Sequence, residues 1–262
     1  DADAAQAPAR LEKQLEKRQS DVVTEARVSE DPSPGAKAPG VPWEKTFGGP
    51  GLDLAEAMAA LPDGGIVFAG RSKPEKSEKW KGWLVRLDSG GSVVWERRYE
   101  NDHNEDFYAV AVFPDGGLVV AGSRRLLRLD SEGEILWQRA GGSDVFSALR
   151  AVAILPDGGV TVAGSVWKKG EGRSALILRF DADGALLWRT TFLGNEGSVS
   201  AIALLPNGDV AVAGKTLPRE KEDWVIRLDA DGAILWERYL PETDSGADFN
   251  ADIWALAARG GD

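Results

Sequence analysis

"LPDGGIVFAG", residues 61–70, returns as "FPDGGLVVAG" at 113–122, "LPDGGVTVAG" at 155–164 and "LPNGDVAVAG" at 205–214. Their prolines, Pro62, Pro114, Pro156 and Pro206, stand 52, 42 and 50 residues apart. Each phrase is followed by a second one: "WLVRLDSGGSVVW", "RLLRLDSEGEILW", "LILRFDADGALLW" and "WVIRLDADGAILW". These close on Trp95, Trp137, Trp188 and Trp236. Self-similarity at this period marks a repeat architecture.

The local chemistry makes each unit a set of strands. "PDGG" sets proline at a turn corner, then Asp and Gly where positive φ is needed, which closes a tight hairpin. "DSGG", "DSEG" and "DADG" do the same later in each unit. Between them lie short apolar runs such as "FYAVAVF" and "GLVVAG". Helices built from these units would break on the recurring Gly and Pro. The first unit reads as strands at roughly 55–61, 65–71, 82–88 and 92–99. A four-stranded sheet has two apolar faces, and radial stacking covers both, so the fold class is all-β: a β-propeller of four-stranded antiparallel blades. Trp95, Trp137, Trp188 and Trp236 are expected to be structural wedges between blades. Burial of an indole removes roughly 150–250 Å² from water, about 4–6 kcal/mol before entropy.

The ends of the chain depart from the repeat. Residues 1–40 read as a helical or disordered arm and linker: "ARLEKQLEKRQSDVVTEARV" has helix-forming composition, and "EDPSPGAKAPGVP" is a linker. Residues 41–262 carry the repeats. "WEKTFGG" at 43–49 matches the fourth-strand segments "WERRYEN" and "WERYLPE", while "ADIWALAARGGD" at 251–262 matches a first strand. Four complete blades with partial blades at both ends are therefore expected, in a chain truncated at its C-terminus that does not close a regular ring by itself. The chain begins with Asp1 and shows no signal peptide, as a processed, engineered or fragmentary chain would.

Composition limits the partners. Hydrophobic residues are 43% and charged residues 28% of the 262, enough for a packed core. The net charge of −11 disfavours nucleic acid and anionic membrane surfaces. With no cysteine there are no disulfides and no thiolate metal sites. No run of 18 apolar residues occurs, so no membrane span is expected.

The combination "WEKTFGG…DGG…AG…RLDxxGxxxW" over residues 43–258 resembles tandem repeats in secreted or surface proteins of bacteria and archaea. The turn phrase is also similar to the tryptophan-docking motif of the quinoprotein propeller family, Ala-x-Asp-x-x-Thr-Gly-x-x-x-Trp, which includes non-catalytic outer-membrane assembly relatives. In this chain the Asp-to-Trp segments (Asp88 to Trp95, Asp130 to Trp137, Asp181 to Trp188, Asp229 to Trp236) are one residue shorter, Arg replaces the leading Ala and the Thr is missing. The resemblance implies shared architecture. The catalytic members hold their cofactor with paired cysteines, which this chain lacks, so no cofactor is expected.

Chemical motifs are sparse. "DADG" at 181–184 and 229–232 begins like a calcium loop, but oxygens are missing further along; a turn in which Asp bonds its own backbone explains all four cases. His103 is the one histidine, too few for a zinc site. No G-x-S-x-G elbow or phosphate-binding glycine loop occurs. The variable connections are more informative. "SKPEKSEKWK" at 72–81, "SVWKKGEGRS" at 165–174 and "KTLPREKE" at 215–222 are cationic, whereas "ENDHNED" and "PETDSGADF" are anionic. In a propeller these share one face, so basic outer loops around an acidic inner ring are expected there. Trp80, Lys81, Trp167, Lys168 and Lys169 lie in these segments with no role in the repeat, and are the candidate ligand-binding residues. The expectation is a non-enzymatic, extracytoplasmic module that binds a protein or glycan through this face, as a monomer or part of a larger chain. The alternatives are a quinoprotein-like enzyme or cofactor-binding propeller, for which the inner strands offer Glu56 and Arg150, and a sensor domain of a multidomain protein.

Overall fold

A computed structural model describes residues 44–240 except 101, 142–144, 171, 193–196 and 217–222. The N-terminal arm and the segment at 251–262 lie outside the described residues. Among the described residues, sixteen strands form four antiparallel sheets of four, each a simple meander. Blade 1 holds β1 (Gly51–Ala60), β2 (Ile66–Pro74), β3 (Lys81–Leu87) and β4 (Val93–Tyr99). Blade 2 holds β5 (Phe107–Val112), β6 (Leu118–Gly122), β7 (Arg125–Leu129) and β8 (Ile135–Ala140). Blade 3 holds β9 (Ala148–Ile154), β10 (Val160–Lys168), β11 (Gly172–Phe180) and β12 (Leu186–Phe192). Blade 4 holds β13 (Gly197–Leu204), β14 (Val210–Thr216), β15 (Asp223–Leu228) and β16 (Ile234–Leu240).

The inner strands pack in series, β1 on β5, β5 on β9 and β9 on β13, so the core lies between blades. Leu61, Val67 and Leu84 of blade 1 meet Phe107, Leu118 and Leu127 of blade 2. Ala121 and Leu126 meet Leu149, Val162 and Leu176 across the next junction, and Ala163 and Ile177 meet Val212, Trp224 and Ile226 across the third.

Three tryptophans clamp these junctions. Trp95, Trp137 and Trp188 donate their indole N–H to the carbonyls of Ser131, Ala182 and Ala230, at 3.0, 3.0 and 2.9 Å, each in the Asp-x-x-Gly turn of the next blade. The Trp137 and Trp188 rings lie over Gly184 and Gly232, where an added Cβ would come within 2.7 Å. All three indoles are half-buried rather than enclosed wedges, so their contribution is part of the transfer energy plus a hydrogen bond of about 1 kcal/mol. Trp236 is different: it is 38% exposed.

The Asp of the first turn has a second function. Asp63 Oδ1 accepts the Gly65 amide at 2.9 Å while Oδ2 accepts from Arg86 at 2.8 Å. Asp115–Arg128 and Asp157–Arg179 repeat this clasp; blade 4 has Asn207 in the turn and uses Asp209 with Arg227 instead. The Gly65 amide and then Arg86 hold Asp63 below the usual carboxylate range, Arg179 does so for Asp157, and Asn207 followed by Arg227 for Asp209. Carboxylates depressed in the folded state contribute stability that is complete above the ordinary Asp value of about 3.9 and is lost as pH falls through the folded values. Acid unfolding followed by circular dichroism is therefore expected to steepen below about pH 4. Asp157→Asn should flatten that limb; an unchanged limb would remove the clasp from the acid response.

Residues 44–49 carry no strand. They nevertheless sit on blade 1 as an outer strand would. Lys45 Nζ donates to the Gly91 carbonyl at 2.9 Å, much as Arg139 reaches the Gly184 carbonyl at 2.6 Å. Phe47 packs 5.5 Å from Phe68.

Candidate functional site

Every inner strand is interrupted by a β-bulge at the same place. The extra residue is Glu56 in β1, Tyr108 in β5, Arg150 in β9 and Ser200 in β13. Bulges re-aim a side chain out of the strand's alternation. These four stand on the inner edge, and unlike the scaffold positions they differ in chemistry from blade to blade.

The first three belong to one connected cluster. Arg71, on β2, lies 3.9 Å from Glu56 and donates to Asp106 at 3.1 Å. Tyr108 donates its hydroxyl to the same carboxylate at 3.3 Å. The Arg150 guanidinium stands 4.6 Å over the Tyr108 ring, and Arg71 stands 4.8 Å from the Trp80 ring. Burial, reinforced by the Asp106 charge, pushes the Tyr108 phenol upward, so it stays a donor at neutral pH. Arg150 is exposed and ion-pairs with no described carboxylate, and Arg71 Nε is buried without a hydrogen-bond partner.

The sequence candidates fall on both sides of this cluster. Trp80 joins it: half-buried against Arg71, its amide donates to Asn104 Oδ1 at 2.9 Å and its carbonyl accepts the Glu105 amide at 3.0 Å. Lys81 pairs with Glu100. Lys79 donates to the Asp102 carbonyl at 2.7 Å. The cationic loop of blade 1 is thus tied to the anionic connection that leads into blade 2 by one ion pair and one hydrogen bond to backbone; the corresponding segments 217–222 and 241–249 lie outside the described residues. Trp167 is 52% exposed but is not in a loop. The β10–β11 ladder runs on to the Lys168↔Gly172 pair and sets Trp167 opposite Arg173. The residues between those strands are 169–171, with Lys169 exposed. Sequence reasoning found Glu56 and Arg150 as polar residues in apolar strands and missed Arg71, Asp106 and Tyr108. The signal was the position five residues before Leu61, Phe113 and Leu155, where Glu, Tyr and Arg replace one another.

The "DADG" turns are backbone-capping: Asp181 Oδ1 accepts the Ala185 amide at 2.7 Å and Asp229 Oδ1 that of Ala233 at 2.9 Å. His103 is exposed. No group of three or more His, Cys, Asp or Glu is gathered to hold a metal among the described residues. No described helix is long and apolar enough to cross a membrane.

Four meander blades joined by indole clamps, with their variable connections and a polar inner edge on one side, define a propeller-repeat protein. The chain belongs to the family described as outer membrane protein assembly factor BamB, whose model matches residues 40–175 and, overlapping them, 80–258. No curated protein sequence matches it. Solved structures of similar fold include the Pan2 WD40 domain of Neurospora crassa, 13% identical over 71% of this chain and 65% of that one, with a TM-score of 0.42. Sqt1 of Chaetomium thermophilum is 17% identical over 68% and 44% (TM-score 0.45). The quinohemoprotein alcohol dehydrogenase of Comamonas testosteroni is 15% identical over 72% and 35% (TM-score 0.47). The chain thus spans less than two thirds of the length of each of these three.

Proposed function

We propose that this propeller is an extracytoplasmic binding module whose ligand, a protein segment or glycan, engages the face of variable connections at the inner edge. The observation that carries the reading is the Glu56–Arg71–Asp106–Tyr108–Arg150 cluster. It offers a guanidinium that ion-pairs with no described carboxylate, a phenol whose proton is held by Asp106 and whose oxygen is left to accept, and a flanking indole, at positions that vary from blade to blade while the scaffold around them repeats. The family match to an outer-membrane assembly factor supports the compartment and a role without chemistry. In a titration against immobilised peptide and glycan panels, Arg150→Ala and Tyr108→Phe are expected to weaken the best hit about tenfold or more, the loss of one charge-assisted contact. Lys169→Ala should leave it unchanged. Equal affinity for all three variants would remove the inner edge as the site.

An enzymatic or cofactor-holding reading is favoured by the same cluster, because a phenol held protonated beside a carboxylate and two guanidiniums is the kind of perturbed group that active sites gather. A quinone cofactor of the catalytic relatives does not fit, since the chain has no cysteine to supply the pair that holds it. Turnover lost in Tyr108→Phe with binding retained would favour this reading over the first.

A further inference from the structure

One position differs in kind among the four blades. By register Arg125 on β7 corresponds to Trp83, Leu176 and Trp224, each set opposite the outer-strand residue three beyond the clamp tryptophan. Those three are buried apolar side chains. Arg125 instead turns a guanidinium to the connection that arrives from blade 1. Its Nε donates to Glu105 Oε2 at 2.9 Å and its Nη2 to the Glu100 carbonyl at 3.4 Å. Glu105 is 0% exposed and the Arg125 side chain 14%. A single guanidinium thus holds both ends of the connection from β4 to β5.

Packing does not explain this charge. Taking an ion pair out of water is costly, and its exchange for well-packed apolar side chains is often neutral or stabilising. Three blades already have the apolar solution at this position. What the pair holds is the difference. The Glu105 amide donates to the Trp80 carbonyl at 3.0 Å, and Asn104 Oδ1 accepts the Trp80 amide at 2.9 Å. Both contacts come from the braced connection, and together they set the Trp80 ring 4.8 Å from the Arg71 guanidinium. The next residue, Asp106, accepts from Arg71 at 3.1 Å. Asp106 has its own anchor in blade 2, its amide donating to Ser123 Oγ at 3.1 Å and its carbonyl accepting the Ser123 amide at 2.8 Å. The indole therefore depends on the brace more than the carboxylate does.

We propose that Glu105 and Arg125 are positioning residues of the inner edge, bracing the β4–β5 connection so that the Trp80 indole stays on Arg71 as the aromatic wall of the site. Their role toward a ligand rests on the reading of this edge as the binding site; the brace itself does not. Blade 3 supplies the comparison, because Ser147 and Leu176 stand there at the positions of Glu105 and Arg125. The full chain carrying Glu105→Ser with Arg125→Leu is expected to unfold at the wild-type temperature or above. Hydrogen exchange followed by NMR should accelerate about tenfold or more at the amides of positions 80 and 105, and not at the ladder amide of Leu127. Arg125→Lys keeps a charge for Glu105 but loses the fork that also reaches Glu100, so it should speed the same two amides by less. In the peptide and glycan titration the double variant should weaken the best hit about fivefold or more, as displacement of an aromatic anchor does. Faster exchange with undiminished affinity would leave the brace standing and remove the inner edge as the ligand site. Unchanged exchange at positions 80 and 105 in both variants would overturn the proposal. So would a double variant that unfolds early or fails to fold, since the pair would then be needed by the junction itself.

Discussion

Gly164→Ala is expected to destabilise the protein by about 3 kcal/mol, the upper part of the range for overpacking against atoms that cannot move. At about 2–4 °C per kcal/mol for a domain of this size, that is a fall of roughly 6–12 °C in Tm. Gly164 ends the phrase "LPDGGVTVAG" and sits on β10 opposite the Arg150 bulge. The bulge swings the Ala148 carbonyl into the space a Cβ would need, with Leu149 Cα within 2.8 Å of it. Gly70, Gly122 and Gly214 meet the carbonyls of Leu54, Asp106 and Ser198 in the same way. The obstruction is backbone on a paired strand, so relief requires the inner strand to move and Arg150 to move with it. Thermal unfolding of Gly164→Ala beside Gly49→Ala, where nothing lies within 4 Å, checks the argument. Equal midpoints would show that the bulge does not require the glycine.

The same glycine shows what one sequence reveals and what it hides. Recurrence of "AG" at the end of the second strand marked it as scaffold, and the four sheets, their order and their hairpins follow from the phrases alone. Its reason was hidden, because a bulge is a property of two strands and β9 gives no local sign of one. The Asp of "PDGG" was likewise read as a turn residue, which it is, while its clasp to an arginine 23 residues on in Asp63–Arg86 depends on hairpin register. Strand limits slipped for a related reason: β1 starts at Gly51 rather than near 55 and β10 reaches Lys168, since ladders persist through polar residues when both partners stay extended. The candidate site was half legible. Glu56 and Arg150 break apolar alternation, whereas Tyr108 is an ordinary strand residue, and Arg71 and Asp106 join it from other elements only after folding.

Phe107→Ala should have the largest effect of any single truncation beside the site, about 3–5 kcal/mol for a fully enclosed aromatic. That corresponds to a fall in Tm of roughly 6–20 °C. The ring is 0% exposed at the junction of blades 1 and 2, 5.6 Å from Tyr99, whose hydroxyl donates to the Gly133 carbonyl at 2.7 Å. Gly82 and Gly122 leave room for it; a Cβ on Gly82 would be pressed into the ring, and one on Gly122 would come within 3.0 Å of it. Phe107 also stands between Asp106 and Tyr108, so the void should loosen the cluster that holds Arg71. The contact predicts a sign for the double variant. Gly82→Ala alone is destabilising because it overpacks the ring, yet in Phe107→Ala the same methyl enters vacated space. The two substitutions together should therefore cost less than their sum by about 1 kcal/mol or more, as contacting residues do in a double-mutant cycle. Strict additivity in denaturant unfolding would mean that the ring does not fill the space above Gly82, and that the first junction is held by the indole clamp instead.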